Sequence, residues 1–157
     1  MKFRISGLLL LLALCGCSPK PITNGSLYNT PGGQGPAKGS LLLGTFRGTL
    51  PCADCPGLVT ELSLYHPNLY TDEGTYVLKL TYLDRNVKPL VTQGEWTILR
   101  GDAADENASV YQLEPDHPEK SAYYLRVNSN ELRQLDKDEK EMKSKLNFTL
   151  KRVPPGL

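Results

Sequence analysis

Two cysteines, two residues apart and bracketed by prolines, are the groups in this chain best suited to chemistry: Leu50-Pro51-Cys52-Ala53-Asp54-Cys55-Pro56-Gly57. Sulfurs so spaced can close a disulfide or grip a soft metal ion, but not both at once, because a metal needs the thiolate. Thiol–disulfide exchange of the thioredoxin kind is disfavoured. It relies on a helix N-terminus to activate the first sulfur, whereas Pro56 and Gly57 lead here into an alternating β pattern. Asp54, between the sulfurs, disfavours thiolate by like charge. Cu(I) is the metal that two thiolates suit, since it accepts soft ligands at low coordination number. Other donors are sparse: Met142, and His66 and His117, both in proline-containing turns and expected to be solvated turn residues. Zinc is poorly served, because no second Cys-x-x-Cys completes a four-ligand set. The remaining reading is a structural disulfide pinning a turn, with little stabilisation from so small a ring.

The redox state depends on the compartment, and the N-terminus speaks to that. Lys2 and Arg4 precede an apolar run from Gly7 to Leu14. The run is too short for a bilayer-spanning helix, which needs about 20 apolar residues, so a processed signal peptide over residues 1–16 is expected. Leu14-Cys15-Gly16-Cys17-Ser18 resembles the lipobox of bacterial lipoproteins, with Cys17 as the lipidated residue. Acyl chains there would anchor the protein to membrane lipid. Ser18 in place of aspartate implies, by the rule of that protein class, the outer membrane, with the periplasmic side favoured over the cell surface. Removing Lys2 and Arg4 from 18 basic side chains leaves 16 against 17 acidic ones. A near-neutral chain without a basic stripe offers nothing to nucleic acid. With Cys15 lost and Cys17 acylated, Cys52 and Cys55 remain as an even pair in an oxidising compartment, which favours a resting disulfide.

The elements that must position the pair read as strands. Residues 17–40 are rich in proline and glycine and are expected to form a flexible tether, reaching roughly 25 Å. From Leu41 to the end at residue 157, apolar and polar residues alternate with period two. The runs are centred on Phe46, Leu62, Leu78, Trp96, Tyr111, Leu125, Leu132 and Phe148, with turn signals between them. Residues 136–145 are a charged run expected to form a solvated hairpin. The pattern predicts an all-β antiparallel meander closing into a small barrel, a single domain over residues 41–157. A barrel of this kind can hold one small ligand, so an apolar carrier lined by Leu62, Leu78, Trp96 and Phe148 is the alternative to a filled core. No serine-histidine-acid set, metal-carboxylate cluster or phosphate-binding glycine loop is present, which argues against an enzyme.

The run from Leu50 to Gly57, followed by Thr60, Leu62 and Leu64, resembles the N-terminal domain of the NlpE family of copper-resistance and envelope-stress lipoproteins. Supporting matches are Gly44-Thr45-Phe46-Arg47-Gly48, Gly94-Glu95-Trp96, Leu132 with Leu135-Asp136, and Leu146-Asn147-Phe148-Thr149-Leu150. The resemblance implies a lipocalin-like β-barrel. It also implies a part in copper tolerance or envelope-stress sensing, Cys52 and Cys55 as the metal or redox pair, and an envelope-stress sensor kinase as partner. Longer members carry a C-terminal domain with a second cysteine pair, which residues 1–157 do not contain.

Overall fold

Period-two alternation leaves each strand with one apolar face, and such faces are satisfied when the sheet curls onto itself. The structure, a computed structural model, describes residues 35–102 and 104–154. It contains β1 (Leu41–Leu50), β2 (Leu58–His66), β3 (Glu73–Tyr82), β4 (Leu90–Arg100), β5 (Ser109–Leu113), β6 (Ala122–Asn128), β7 (Glu131–Gln134) and β8 (Thr149–Val153). Each strand pairs antiparallel with the next, and β8 pairs with β1 to close an eight-stranded barrel. No helix occurs among the described residues. The expected signal peptide, Cys17 and most of the expected tether lie outside the described residues.

Cross-strand pairing sets which side chains share the interior. Phe46 lies opposite Leu62, which lies opposite Leu78. Tyr111 faces Tyr124, and Leu132 faces Leu150. Phe46, Leu62, Leu64, Tyr76, Trp96, Tyr111, Leu113, Tyr124, Leu132 and Leu150 form one buried cluster. Outside, Arg47, Glu61 and Lys79 occupy consecutive register positions with alternating charge, a favourable cross-strand arrangement.

Trp96 organises the centre. It is 1% exposed, and its indole N–H donates to the Thr75 carbonyl at 2.9 Å. Tyr111 and His66 meet it edge-on, at ring-centroid separations of 5.3 and 5.1 Å. Gly74 sits opposite Trp96 in the β3–β4 register. A Cβ there would run into the Tyr65 carbonyl oxygen and the indole, so the missing side chain lets the indole approach β3 closely. His66 is therefore not the solvated turn residue expected. It ends β2 against Trp96, and its Nδ1 is buried without a hydrogen-bond partner. His117 fits the expectation, exposed in the β5–β6 loop and 3.7 Å from Glu119.

Leu62 and Trp96 are fully buried in the cluster and Leu78 packs against it, whereas Phe148 is half-buried and outside it. Leu62, Leu78 and Trp96 thus pack together as core side chains. β8 starts three residues later than the Leu146 end of its alternating run, and Leu146 is 62% exposed. The Asn147 side chain explains the delay: its Nδ2 donates to the Thr49 and Thr149 carbonyls, and its Oδ1 accepts from the Thr149 N–H. Asn147 thus caps the strand instead of extending it. The charged run does turn back on itself. Leu135 and Glu141 pair antiparallel, and Asp136 accepts N–H bonds from Asp138 and Lys140.

Because the strands alternate in direction, the two rims differ. One carries the β1–β2, β3–β4, β5–β6 and β7–β8 loops. The other carries the β2–β3, β4–β5 and β6–β7 loops, with the start of β1 and the end of β8.

Candidate functional site

Seven residues, 51–57, join β1 to β2, and their sequence ends one strand and starts the next. Pro51 and Pro56 have no N–H to give a ladder and hold φ near −65°. The disulfide crosses the loop between them: the Cys52 and Cys55 sulfurs are bonded at 2.08 Å, with Cα atoms 5.3 Å apart. Both cysteines are half-buried, while Ala53, Asp54 and Pro56 are exposed. The sulfurs are thus neither separated nor entombed, and solvent reaches the loop that holds them.

The loop is fastened on both flanks. Arg85, in the β3–β4 connection, pairs with the Asp54 carboxylate at 2.6 Å, and its Nη2 also donates to the Asp54 carbonyl at 3.1 Å. Its guanidinium lies over the Tyr82 ring, 5.1 Å from the centroid. The Leu83 N–H donates to the Gly57 carbonyl at 3.0 Å. A Cβ on buried Gly57 would meet Thr49 Cγ2 at 2.6 Å and Leu83 Cδ1 at 3.2 Å, so this position needs glycine for the close approach. On the other flank Asn147 holds the Thr49 carbonyl at 2.9 Å, just before Pro51. Two neighbouring loops therefore fix the cysteine hairpin, Arg85 at Asp54 and Asn147 at its base, while Ala53 is exposed at its tip.

The chemistry open to this arrangement follows from its donors. Cys52 Sγ lies 3.6 Å from Asp54 Oδ1, and Cys55 Sγ lies 3.2 Å from the Gly57 carbonyl oxygen. In the disulfide neither sulfur carries a proton, so these are contacts; after reduction each thiol would have an acceptor beside it. Among the described residues, Cys52, Asp54 and Cys55 form the one group of histidine, cysteine and carboxylate donors with metal-binding geometry, their ligand atoms within 4.8 Å of one another. Reduced, the pair offers two soft sulfurs and one hard oxygen, a set that suits a soft monovalent ion better than Zn²⁺. Neither His66 nor His117 joins the group. The segment after Cys55 is β2, not a helix, so the dipole that activates thioredoxin-type cysteines is missing. From the sequence, Arg85 is only a polar residue between two strand runs. Its role shows only when the β3–β4 loop is folded beside the β1–β2 loop.

The chain is similar to several known proteins. A family model described as the NlpE N-terminal domain matches residues 46–145. Lipoprotein NlpE of Escherichia coli (strain K12) is 30% identical over 115 residues, covering 72% of this chain and 42% of that protein. The 17 kDa lipoprotein of Treponema pallidum (strain Nichols) is 32% identical over 92 residues, covering 57% of this chain and 54% of that one. The chain thus spans about half the length of these curated relatives. Among solved structures, one described as a lipoprotein from Shewanella oneidensis matches with a TM-score of 0.51 and 26% identity, over 69% of this chain and 86% of that chain. The structure of the Cpx pathway activator NlpE from Escherichia coli matches with a TM-score of 0.44 and 26% identity, over 72% of this chain and 52% of that chain. With the family model spanning β1 through the β7–β8 loop and the cysteine hairpin inside it, the chain belongs to the NlpE N-terminal domain family.

Proposed function

We propose that this protein is a non-enzymatic lipoprotein, acylated at Cys17 and held at the periplasmic side of the outer membrane, that serves copper tolerance or envelope-stress sensing through Cys52 and Cys55. The observation that carries the reading is the disulfide hairpin itself: a half-buried sulfur pair at an open rim, held by Arg85 at Asp54 and exposed to solvent at its tip. Family membership supports the lipoprotein class, since both curated relatives are named lipoproteins. Residues 1–16 act as the signal peptide and residues 17–40 as the tether of the barrel.

In the oxidised state the hairpin is a rigid knob. Reduction breaks the S–S bond, takes up two electrons and two protons, and yields two thiols on a loop still tied down by Arg85 and Asn147. Cu(I), when bound, would be held by the Cys52 and Cys55 thiolates in place of those protons. Either change alters the surface that an envelope-stress sensor kinase would read. The solvent-facing tip, Ala53 and Asp54, is the part of the loop open to such a partner.

A Cys52→Ser, Cys55→Ser double variant tests this. Cells carrying it should be more copper-sensitive, or lose induction of the stress response, at unchanged protein level. A wild-type phenotype would remove the cysteines from the mechanism.

A further inference from the structure

Exposed large apolar side chains are unevenly placed. Leu41, Leu42, Leu69, Tyr70 and Val127 lie at the rim that carries both strand termini, and Val87, Leu90 and Leu146 lie at the cysteine rim. The two most exposed are Tyr70 at 95% and Leu69 at 72%, adjacent at the apex of the β2–β3 loop. An apex is where polar residues are expected. This one is also held in shape: the Asn68 side chain accepts the Tyr70 N–H at 2.9 Å, and the Thr71 hydroxyl donates to the Glu73 carbonyl at 3.1 Å. Leu41 and Leu42 stand beside it, since they pair with His66 and Tyr65, the residues leading into that loop. Leu41, Leu42, Leu69 and Tyr70, gathered where the start of β1 meets the β2–β3 loop, make a patch that water alone does not explain, with Val127 across the rim on β6.

We propose that this rim is a lipid-contacting foot. Leu69 and Tyr70, with Leu41 and Leu42, enter the interfacial layer of the bilayer and stand the barrel upright. The inference rests on the anchoring at Cys17. Chain length and attachment favour lipid as the occupant. Residues 18–34 separate Cys17 from the described residues, and the chain enters β1 at this same rim. A flexible tether of that length would reach roughly 20 Å, so an anchor at Cys17 would hold this end of the barrel nearer the membrane than the cysteine rim. Tyrosine, with an apolar ring and a polar tip, is the residue type suited to that layer. β1 has ten residues, and at the tilt of a small barrel its ends are roughly 25 Å apart along the axis. An upright barrel would therefore lift Cys52 and Cys55 off the bilayer and turn them toward the periplasm.

The test uses full-length acylated protein in vesicles of phosphatidylethanolamine and phosphatidylglycerol, with Tyr70→Trp or Leu146→Trp as reporter. Trp96 is 1% exposed and gives a constant background. Brominated acyl chains should quench Tyr70→Trp several-fold more than Leu146→Trp. Leu69→Ser with Tyr70→Ser should abolish the upright orientation while the anchor holds, with the protection of Cys52 and Cys55 from the bilayer falling to that of a tumbling barrel. Equal quenching at both reporters in protein whose Cys17 peptide carries its acyl chains overturns the foot and leaves the anchor standing. A Cys17 peptide without acyl chains overturns both. Shielding of Tyr70→Trp that follows protein concentration and not bromine content assigns the rim to a second copy of the chain, and overturns the lipid assignment.

Discussion

Arg85 and Asp54 illustrate what single residues contribute. Their ion pair is short, but the side chains are 39% and 73% exposed, and exposed pairs stabilise by well under about 1 kcal/mol. The pair acts on one loop, not on the fold. Arg85→Ala should leave the denaturation midpoint within about 1 kcal/mol of wild type while amide exchange at residues 52–57 accelerates. Unchanged exchange would mean that Arg85 does not hold the hairpin. Three interior tyrosines make a different point. Burial, then the hydrogen bond to Glu114 at 2.6 Å, pushes the Tyr76 phenol well above its usual range. Burial alone pushes Tyr124 up to about 12, and it is the main cause of the rise at Tyr111. A folded-state pKa above the ordinary 10.0 means that the unfolded chain loses the proton first. That stability is complete below pH 10 and is lost as pH rises toward and through the raised values. Denaturant midpoints should hold to about pH 9.5 and fall beyond 10, with a shallower fall in Tyr124→Phe. A midpoint flat to about pH 11.5 would contradict the burial of these hydroxyls.

At the scale of elements, the meander was legible because alternation is written into the chain. Leu58 to Leu64 and Thr75 to Tyr82 read as strands and are strands. Boundaries were less legible. Glu73 and Gly74 look like a turn, but they already pair with Thr97 and Trp96, because a glycine is what the approach of the Trp96 ring requires. Leu146 looks like strand, yet the Asn147 side chain occupies the backbone groups that would have continued the ladder. In the site, the two sulfurs could be read from spacing alone. Arg85 could not, since its 31-residue separation from Asp54 closes only in three dimensions. His66 was misread for the same reason: Trp96, its ring partner, lies on a different strand. Gly74→Val should destabilise by about 1–3 kcal/mol through overpacking, read as a lower thermal midpoint with near-ultraviolet circular dichroism of Trp96 disturbed. A neutral outcome would show that the indole is not pressed against β3.

For the whole molecule, the even strand count fixes a polarity. Both strand termini leave one rim, and the cysteine hairpin occupies the other. A cluster of buried rings and leucines packs between them. The disulfide closes a ring of a few residues and should add no more than about 2 kcal/mol. Reduction therefore leaves the barrel folded, as a switch requires. The most direct measurement is a thiol count on the native protein, before and after mild reduction and with Cu(I) added, followed by mass and by circular dichroism. The account predicts no free thiol at first at Cys52 and Cys55, two after reduction with the β spectrum unchanged, and protection of both by one equivalent of Cu(I). Sulfurs that resist reduction until the barrel unfolds, or reduced thiols that Cu(I) leaves unprotected, would contradict it.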